Sequence, residues 1–140
     1  MNRDVPFETV EKWRSLVDLV YKLTIAGKMA WAESAKEGEI VAPYAGHAIV
    51  LTRKDSTNDF GDEEPIINVR INDSGGDVVD SFWDSDLDEN KQYAYYRKLD
   101  NLMKTVGRKL TGADDVLDAL LARMREDSGE RADFDDEIPF

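Results

Sequence analysis

Ile66-Ile67-Asn68-Val69-Arg70-Ile71-Asn72-Asp73-Ser74-Gly75-Gly76-Asp77-Val78-Val79 is the stretch from which the fold is read. Ile67, Val69 and Ile71 alternate with Asn68, Arg70 and Asn72. A period of two puts the apolar set on one face and the polar set on the other, as in an antiparallel strand with one buried side. Asn72-Asp73-Ser74-Gly75-Gly76 then supplies residues that tolerate a tight reversal. Val78, Val79, Phe82 and Trp83 mark the returning strand.

Upstream of this hairpin, residues 39–53 carry strand chemistry in Ile40, Val41, Ile49, Val50 and Leu51. Pro43 and Gly46 interrupt the run and predict a break or a bulge. Lys28 to Ala35, around Trp31, is a further strand candidate, and Glu37-Gly38 reads as a turn. Lys54 to Glu64 is polar and acidic and contains Gly61, so an exposed loop is expected there. Residues 8–26 form an amphipathic helix pattern, with Val10, Trp13, Leu16, Val17, Val20 and Leu23 at spacings of three and four. Trp13 belongs to its core stripe, and Gly27 stands where a helix-terminating glycine belongs.

Downstream, Asp84 to Asn90 reads as an acidic loop leading to a helix over about 91–108 with Tyr93, Tyr96, Leu99, Leu102, Met103 and Val106 inward. Thr111, with Asp114 three residues on, predicts the start of another helix through a capping box. Val116, Leu117, Leu120, Leu121 and Met124 are its expected buried stripe. After Arg125 the pattern stops, and Asp127 to Arg131 reads as a short linker. Helices before and after one antiparallel sheet indicate an α+β domain. The expectation is an N-terminal helix, a three- to four-stranded antiparallel sheet, two C-terminal helices and a disordered acidic tail. The domain is placed at 1–125 and the tail at 126–140.

The net charge is −12 over 140 residues. Residues 126–140 hold seven acids and one Arg, and residues 1–125 hold 23 acids and 17 bases, so each part carries −6. An acidic body argues against a broad phosphate-binding surface. The chain has no cysteine, which excludes disulfides and thiolate metal sites. Met1 to Phe7 lacks the apolar core of a signal peptide, and no apolar run approaches the ~20 residues of a membrane span. A cytoplasmic location is expected.

The tail closes on Asp133-Phe134-Asp135-Asp136-Glu137-Ile138-Pro139-Phe140. Four carboxylate side chains lie beside a short apolar tip, and the α-carboxylate of Phe140 adds a further negative charge. A run of carboxylates cannot leave water cheaply, so this is expected to be an interaction tail rather than a buried element. Capture of a C-terminal carboxylate is a known recognition mode: the ring enters an apolar pocket and a rim cation takes the carboxylate. A generic acidic solubilising tail would explain the charge but not the Ile-Pro-Phe ending.

These eight residues resemble the C-terminal tip of bacterial single-stranded DNA-binding protein, SSB, with Glu137 where Asp is more usual. The resemblance implies docking into a basic-rimmed pocket on replication, recombination and repair enzymes. It does not extend to the body, which shows no match to the strand pattern of the SSB barrel. Gly27, Lys28, Trp31, Gly75 and Gly76 make residues 8–125 loosely similar to small uncharacterised bacterial α+β proteins, which implies a fold rather than an activity.

Other candidate sites are weaker. His47 is the sole histidine, with no thiol or second imidazole to complete a zinc site. Asp84, Asp86 and Asp88 have the opening spacing of a calcium loop. Glu89 and Tyr95 stand where that loop needs Gly and Glu, so a solvated loop or a helix N-terminal charge explains them better. Lys91, Arg97, Lys98, Lys104, Arg108 and Lys109 face a single acid, Asp100, over residues 91–109. Arg97, Lys104 and Arg108 share a helical face that could meet a nucleic-acid backbone or dock the acidic tip.

The expected function is a non-enzymatic adaptor or modulator without cofactor or metal. Its partner contacts are Asp133, Phe134, Asp135, Asp136, Glu137, Ile138, Pro139 and Phe140, and its partners are SSB-binding genome-maintenance proteins. In one version a mobile element carries the tip to occupy host enzymes. The alternative is a divergent single-stranded DNA-binding protein on a non-OB fold, using the basic helix and the aromatics Trp31, Tyr44, Trp83 and Tyr95.

Overall fold

The computed structural model describes residues 5–57, 59–88 and 94–129. The chain divides into two compact units, 1–107 and 108–140. The first unit opens with α1 (Phe7–Ile25) and continues through β1 (Ala32–Glu33), β2 (Glu39–Tyr44), β3 (His47–Thr57), β4 (Glu63–Asn72) and β5 (Val78–Trp83). A single turn, α2 (Asp84–Leu87), then precedes α3 (Ala94–Thr111), and α4 (Ala113–Ser128) follows. The class is α+β, as the sequence pattern implies, but the sheet has five strands in the order β1-β2-β3-β4-β5, each antiparallel to its neighbour.

The expectation of three or four strands fails at residues 39–53. The break at Pro43 and Gly46 is a full reversal between β2 and β3. Ala45 and Gly46 both adopt positive φ, 50° and 78°, so Tyr44 pairs directly with His47. A two-residue turn of this hand matches the twist of the strands it joins. Pro43 is tolerated because β1 pairs only with Ile40 and Val41, which leaves that end of β2 at the sheet edge. The expected loop 54–64 is largely strand, because β3 runs on to Thr57 and β4 begins at Glu63.

One cross-strand row forms the centre of the core. Ile40, Leu51, Val69 and Phe82 lie side by side across four strands, and all four are buried. Val10, Trp13, Val17 and Val20 of α1 and Leu99, Leu102 and Val106 of α3 pack against this face. The 3-4-3 spacing of the α1 set keeps it on one stripe. That helix stops at Gly27, where φ is +74° and Lys28 N–H returns to the Leu23 carbonyl at 2.8 Å. The neighbouring row, Glu39-Thr52-Asn68-Trp83, points to the opposite face.

Four further expectations change. Asp84 to Leu87 is helical, and Asp84 and Asp86 are buried rather than solvated. Thr111 ends α3 instead of capping α4. Gly112 precedes α4 in the left-handed region, and no side chain caps that end. Within the second unit, α4 runs through Ser128 before Gly129 terminates it, so residues 126–128 are not linker. Val116, Leu117, Leu120, Leu121 and Met124 keep the predicted helical stripe, but it is exposed instead of buried. The expected disordered acidic tail, and Tyr93 and Lys91 of the α3 pattern, lie outside the described residues.

Candidate functional site

Asp133, Phe134, Asp135, Asp136, Glu137, Ile138, Pro139 and Phe140 lie outside the described residues. Arg97, Lys104 and Arg108 are all on α3, with Arg108 in the second unit. Lys104 pairs with Asp100 at 3.0 Å, and Arg108 holds Asp114 through two donors at 2.7 and 2.9 Å. Arg97 is exposed. Their neighbour Lys98 reaches Asp18 on α1 at 2.8 Å. Pairing removes much of the positive field that composition assigns to this helix.

Asp100 also accepts from Arg53 of β3, whose guanidinium donates to Tyr96 Oη at 3.3 Å as well. Partial burial raises the Asp100 carboxyl, but the hydrogen bonds from Arg53 and Lys104 outweigh it and hold the group below its usual range. The Arg53–Asp100 pair ties the sheet to α3. Sequence reading missed it because the partners are 47 residues apart.

Asp84, Asp86 and Asp88 all accept hydrogen bonds from backbone donors. Asp84 Oδ1 accepts Ile67 N–H at 2.8 Å, and Asp86 Oδ2 accepts Trp83 N–H at 2.8 Å. Asp88 accepts the N–H groups of Tyr95 and Tyr96 at 2.6 and 3.1 Å, satisfying two donors in the first turn of α3. Its expected role as a favourable charge at that helix start is therefore present. Burial pushes the Asp84 carboxyl up. The Ile67 bond offsets part of this, and the charges of Asp88 and Asp86 add to it. Among the described residues no cluster of His, Asp and Glu is arranged to hold a metal ion. His47 is exposed at the β2–β3 turn, with Nδ1 3.0 Å from the Ala45 carbonyl oxygen.

The sheet face away from α1 and α3 carries the polar row. Glu39 accepts from Thr52 and Ser34, each at 2.8 Å, and meets Arg70 at 3.6 Å. Burial raises the Glu39 carboxyl, while the hydrogen bonds from Thr52 and Ser34 and the charge of Arg70 bring it below its usual value. Asn68 donates to Ser81 Oγ at 3.0 Å and to the Phe82 carbonyl at 3.1 Å. Lys54 sits 5.8 Å from the centroid of the Trp83 ring on this face. Asn68, read from the alternation as exposed, is buried, because Trp83 and Thr52 flank it in the register.

Of the four aromatics proposed for base stacking, two serve the fold. Trp31 donates to Thr24 Oγ1 at 2.9 Å, and Tyr95 donates to Asp18 at 3.2 Å while packing on the core. Tyr44 is exposed at its turn, and Trp83 is half-buried on the polar sheet face. A cleft of about 270 Å³ beside the β1–β2 turn is lined by Glu33, Glu37, Glu39, Lys36 and Met103. No helix among the described residues is long and apolar enough to cross a membrane. Comparison with protein-family models, with curated proteins and with solved structures gives no match to this chain.

Proposed function

We propose that the protein is a non-enzymatic adaptor or modulator that engages DNA replication, recombination and repair enzymes through Asp133–Phe140. The observation that carries this reading is the segment itself: Phe134, four carboxylates and Ile138-Pro139-Phe140 in SSB-like order. Phe140, Pro139 and Ile138 supply an apolar plug, and Asp133, Asp135, Asp136 and Glu137 supply charge that speeds encounter with a cationic rim. The internal pairing of Lys104 and Arg108 also fits a body that does not itself hold phosphates.

The test is competition between the full-length protein and an SSB tip peptide for a purified SSB-binding repair enzyme. Displacement by the full-length chain, with loss on deletion of Phe140, supports the proposal. Failure to displace, or equal competition by the deletion variant, reduces the segment to a solubilising tail.

A second reading is a single-stranded DNA-binding protein on a non-OB fold. Trp83 beside Lys54 on the polar sheet face favours it, since an aromatic ring next to a cation is a stacking platform for bases. Fluorescence anisotropy with an oligonucleotide across a salt series separates the two. Tight binding at near-physiological salt that is lost in Trp83→Ala would select the second.

A further inference from the structure

The hairpin of β3 and β4 reaches past the strands on either side of it. β2 stops pairing with β3 at Thr52, opposite Glu39, and β5 stops pairing with β4 at Asn68, opposite Trp83. β3 and β4 continue together through five more pairs, from Arg53 with Ile67 to Thr57 with Glu63. At about 3.3 Å per residue they form an arm of roughly 16 Å. Its base is tied down: Arg53 N–H donates to the Gly38 carbonyl at 2.9 Å, and the Arg53 guanidinium holds Asp100 of α3. Its outer part has no core, since Asp55, Thr57, Glu63, Glu64 and Pro65 are exposed and Ser56 is only half-buried. At the turn stands Phe60, 89% exposed, more than any other large apolar side chain among the described residues. We infer that this arm is a second partner-contact site, on which Phe60 enters an apolar pocket bordered by Lys or Arg, an assignment that rests on the adaptor reading of Asp133–Phe140 and adds a contact to the same class of enzyme.

The chemistry of the contact is written twice in the chain. Asp59-Phe60-Gly61-Asp62-Glu63-Glu64-Pro65 matches Asp133-Phe134-Asp135-Asp136-Glu137-Ile138-Pro139 at five of seven positions, differing only at Gly61 and Glu64. Ile66 then follows with an apolar side chain, as Phe140 does. Both departures suit a hairpin. Gly61 has φ +81°, which favours Gly over the Asp of the tip. Glu64 lies on exposed strand, where the Ile of the tip would invite edge pairing.

Residues 55–64 hold five acids and no base. Acids blunt exposed strand edges, and single exposed apolar side chains are common. Neither rule accounts for an aromatic ring at the far end of an acidic arm in the residue order of the chain's own terminus. An acid-flanked ring fits a pocket that is apolar inside and cationic at its rim: the charges speed encounter and the ring slows release. The arm carries no α-carboxylate, so its pocket is distinct from one that captures a chain end.

The test titrates a purified SSB-binding repair enzyme with the full-length protein and its variants. Phe60→Ala should weaken binding about tenfold, and Phe60→Tyr, which keeps the ring, should recover most of that loss. The same factor should appear in a chain lacking Phe140, since separate contacts add in free energy. Asp59→Asn with Asp62→Asn should mainly slow association, and added salt should narrow the gap from the parent. The melting temperature of Phe60→Ala should match the parent, because the ring lies outside the core. Binding by Phe60→Ala as tight as the parent's, with deletion of Phe140 still weakening it, would overturn the arm and leave the tip reading in place. No binding by the full-length chain would overturn both. Weaker binding by Phe60→Ala accompanied by a lowered melting temperature would assign the ring to the fold and overturn the contact.

Discussion

Trp13 on α1 donates its indole N–H to Asp80 on β5 at 2.8 Å, across 67 residues of chain. The same ring stacks on Phe82 with centroids 4.7 Å apart. One side chain thus supplies apolar area to the core centre and a polar tie to the outermost strand. Asp80 also accepts the Ser81 N–H at 2.9 Å, so it serves the strand as well as the helix.

Asp80→Ala should destabilise the body by about 1–3 kcal/mol, because it removes the acceptor of the indole hydrogen bond in a part-buried site. Asp80→Asn keeps an acceptor and should recover most of that loss. Urea unfolding followed by Trp fluorescence measures both. An Ala variant as stable as the parent would mean that the bond adds nothing to packing.

Acid should loosen the contacts made by Glu39 and Asp100. Both carboxyls sit below their ordinary values of 4.5 and 3.8 in the folded chain, because the hydrogen bonds and cations around them outweigh burial. A depressed folded pKa contributes stability that is present above the ordinary value and is lost as pH falls through the folded one. Thermal melts between about pH 6 and pH 3 should therefore decline, and the decline should shrink in Asp100→Asn. At neutral pH that variant should lose about 1–3 kcal/mol, since it leaves Arg53 with a weaker partner. An unchanged acid profile in the variant would separate Asp100 from the effect.

Asp84 should behave in the opposite sense. Burial raises its carboxyl above the ordinary 3.8, so the folded chain holds that proton longer than the unfolded chain does. Its contribution favours folding at low pH and is lost as pH rises through the raised value. Asp84→Asn removes the charge and retains an acceptor for Ile67 N–H. The melting temperature of the variant relative to the parent should rise between about pH 4 and neutrality. A constant difference across that range would show that no proton is held there.

Charge and plug in the terminal segment should separate kinetically. Asp135→Asn with Asp136→Asn should mainly slow association with a repair enzyme, and added salt should narrow the gap from the parent. Deleting Phe140 should instead speed dissociation and cost about 2 kcal/mol or more, roughly thirtyfold in affinity. Appending one Gly after Phe140 keeps the ring and displaces the carboxylate, and should also weaken binding. Surface plasmon resonance at two salt concentrations reads all three. Equal effects of the charge and ring variants on both rates would remove the distinction.

Local periodicity carried much of this fold. Ile67 and Val69 are core residues because a strand's side chains alternate whatever surrounds it, and Val10, Trp13, Val17 and Val20 share a stripe because a helix turns every 3.6 residues. Gly27 was legible for the same reason, since the left-handed turn after a helix is a local demand. The chemistry of Asp133–Phe140 is likewise covalent and local. Tertiary structure decided what lies opposite. Spacing could not show that Pro43 and Gly46 bracket a reversal, because that depends on which strand pairs with which. Counting cations could not reveal that Lys98 is met by an acid 80 residues away. Asp84 and Asp86 read as solvated until the backbone donors of Ile67 and Trp83 came beside them. The stripe on α4 has the same period whether it is covered or bare. Periodicity names the apolar face of an element, whereas burial is a relation between elements distant in sequence, and only packing in space supplies it.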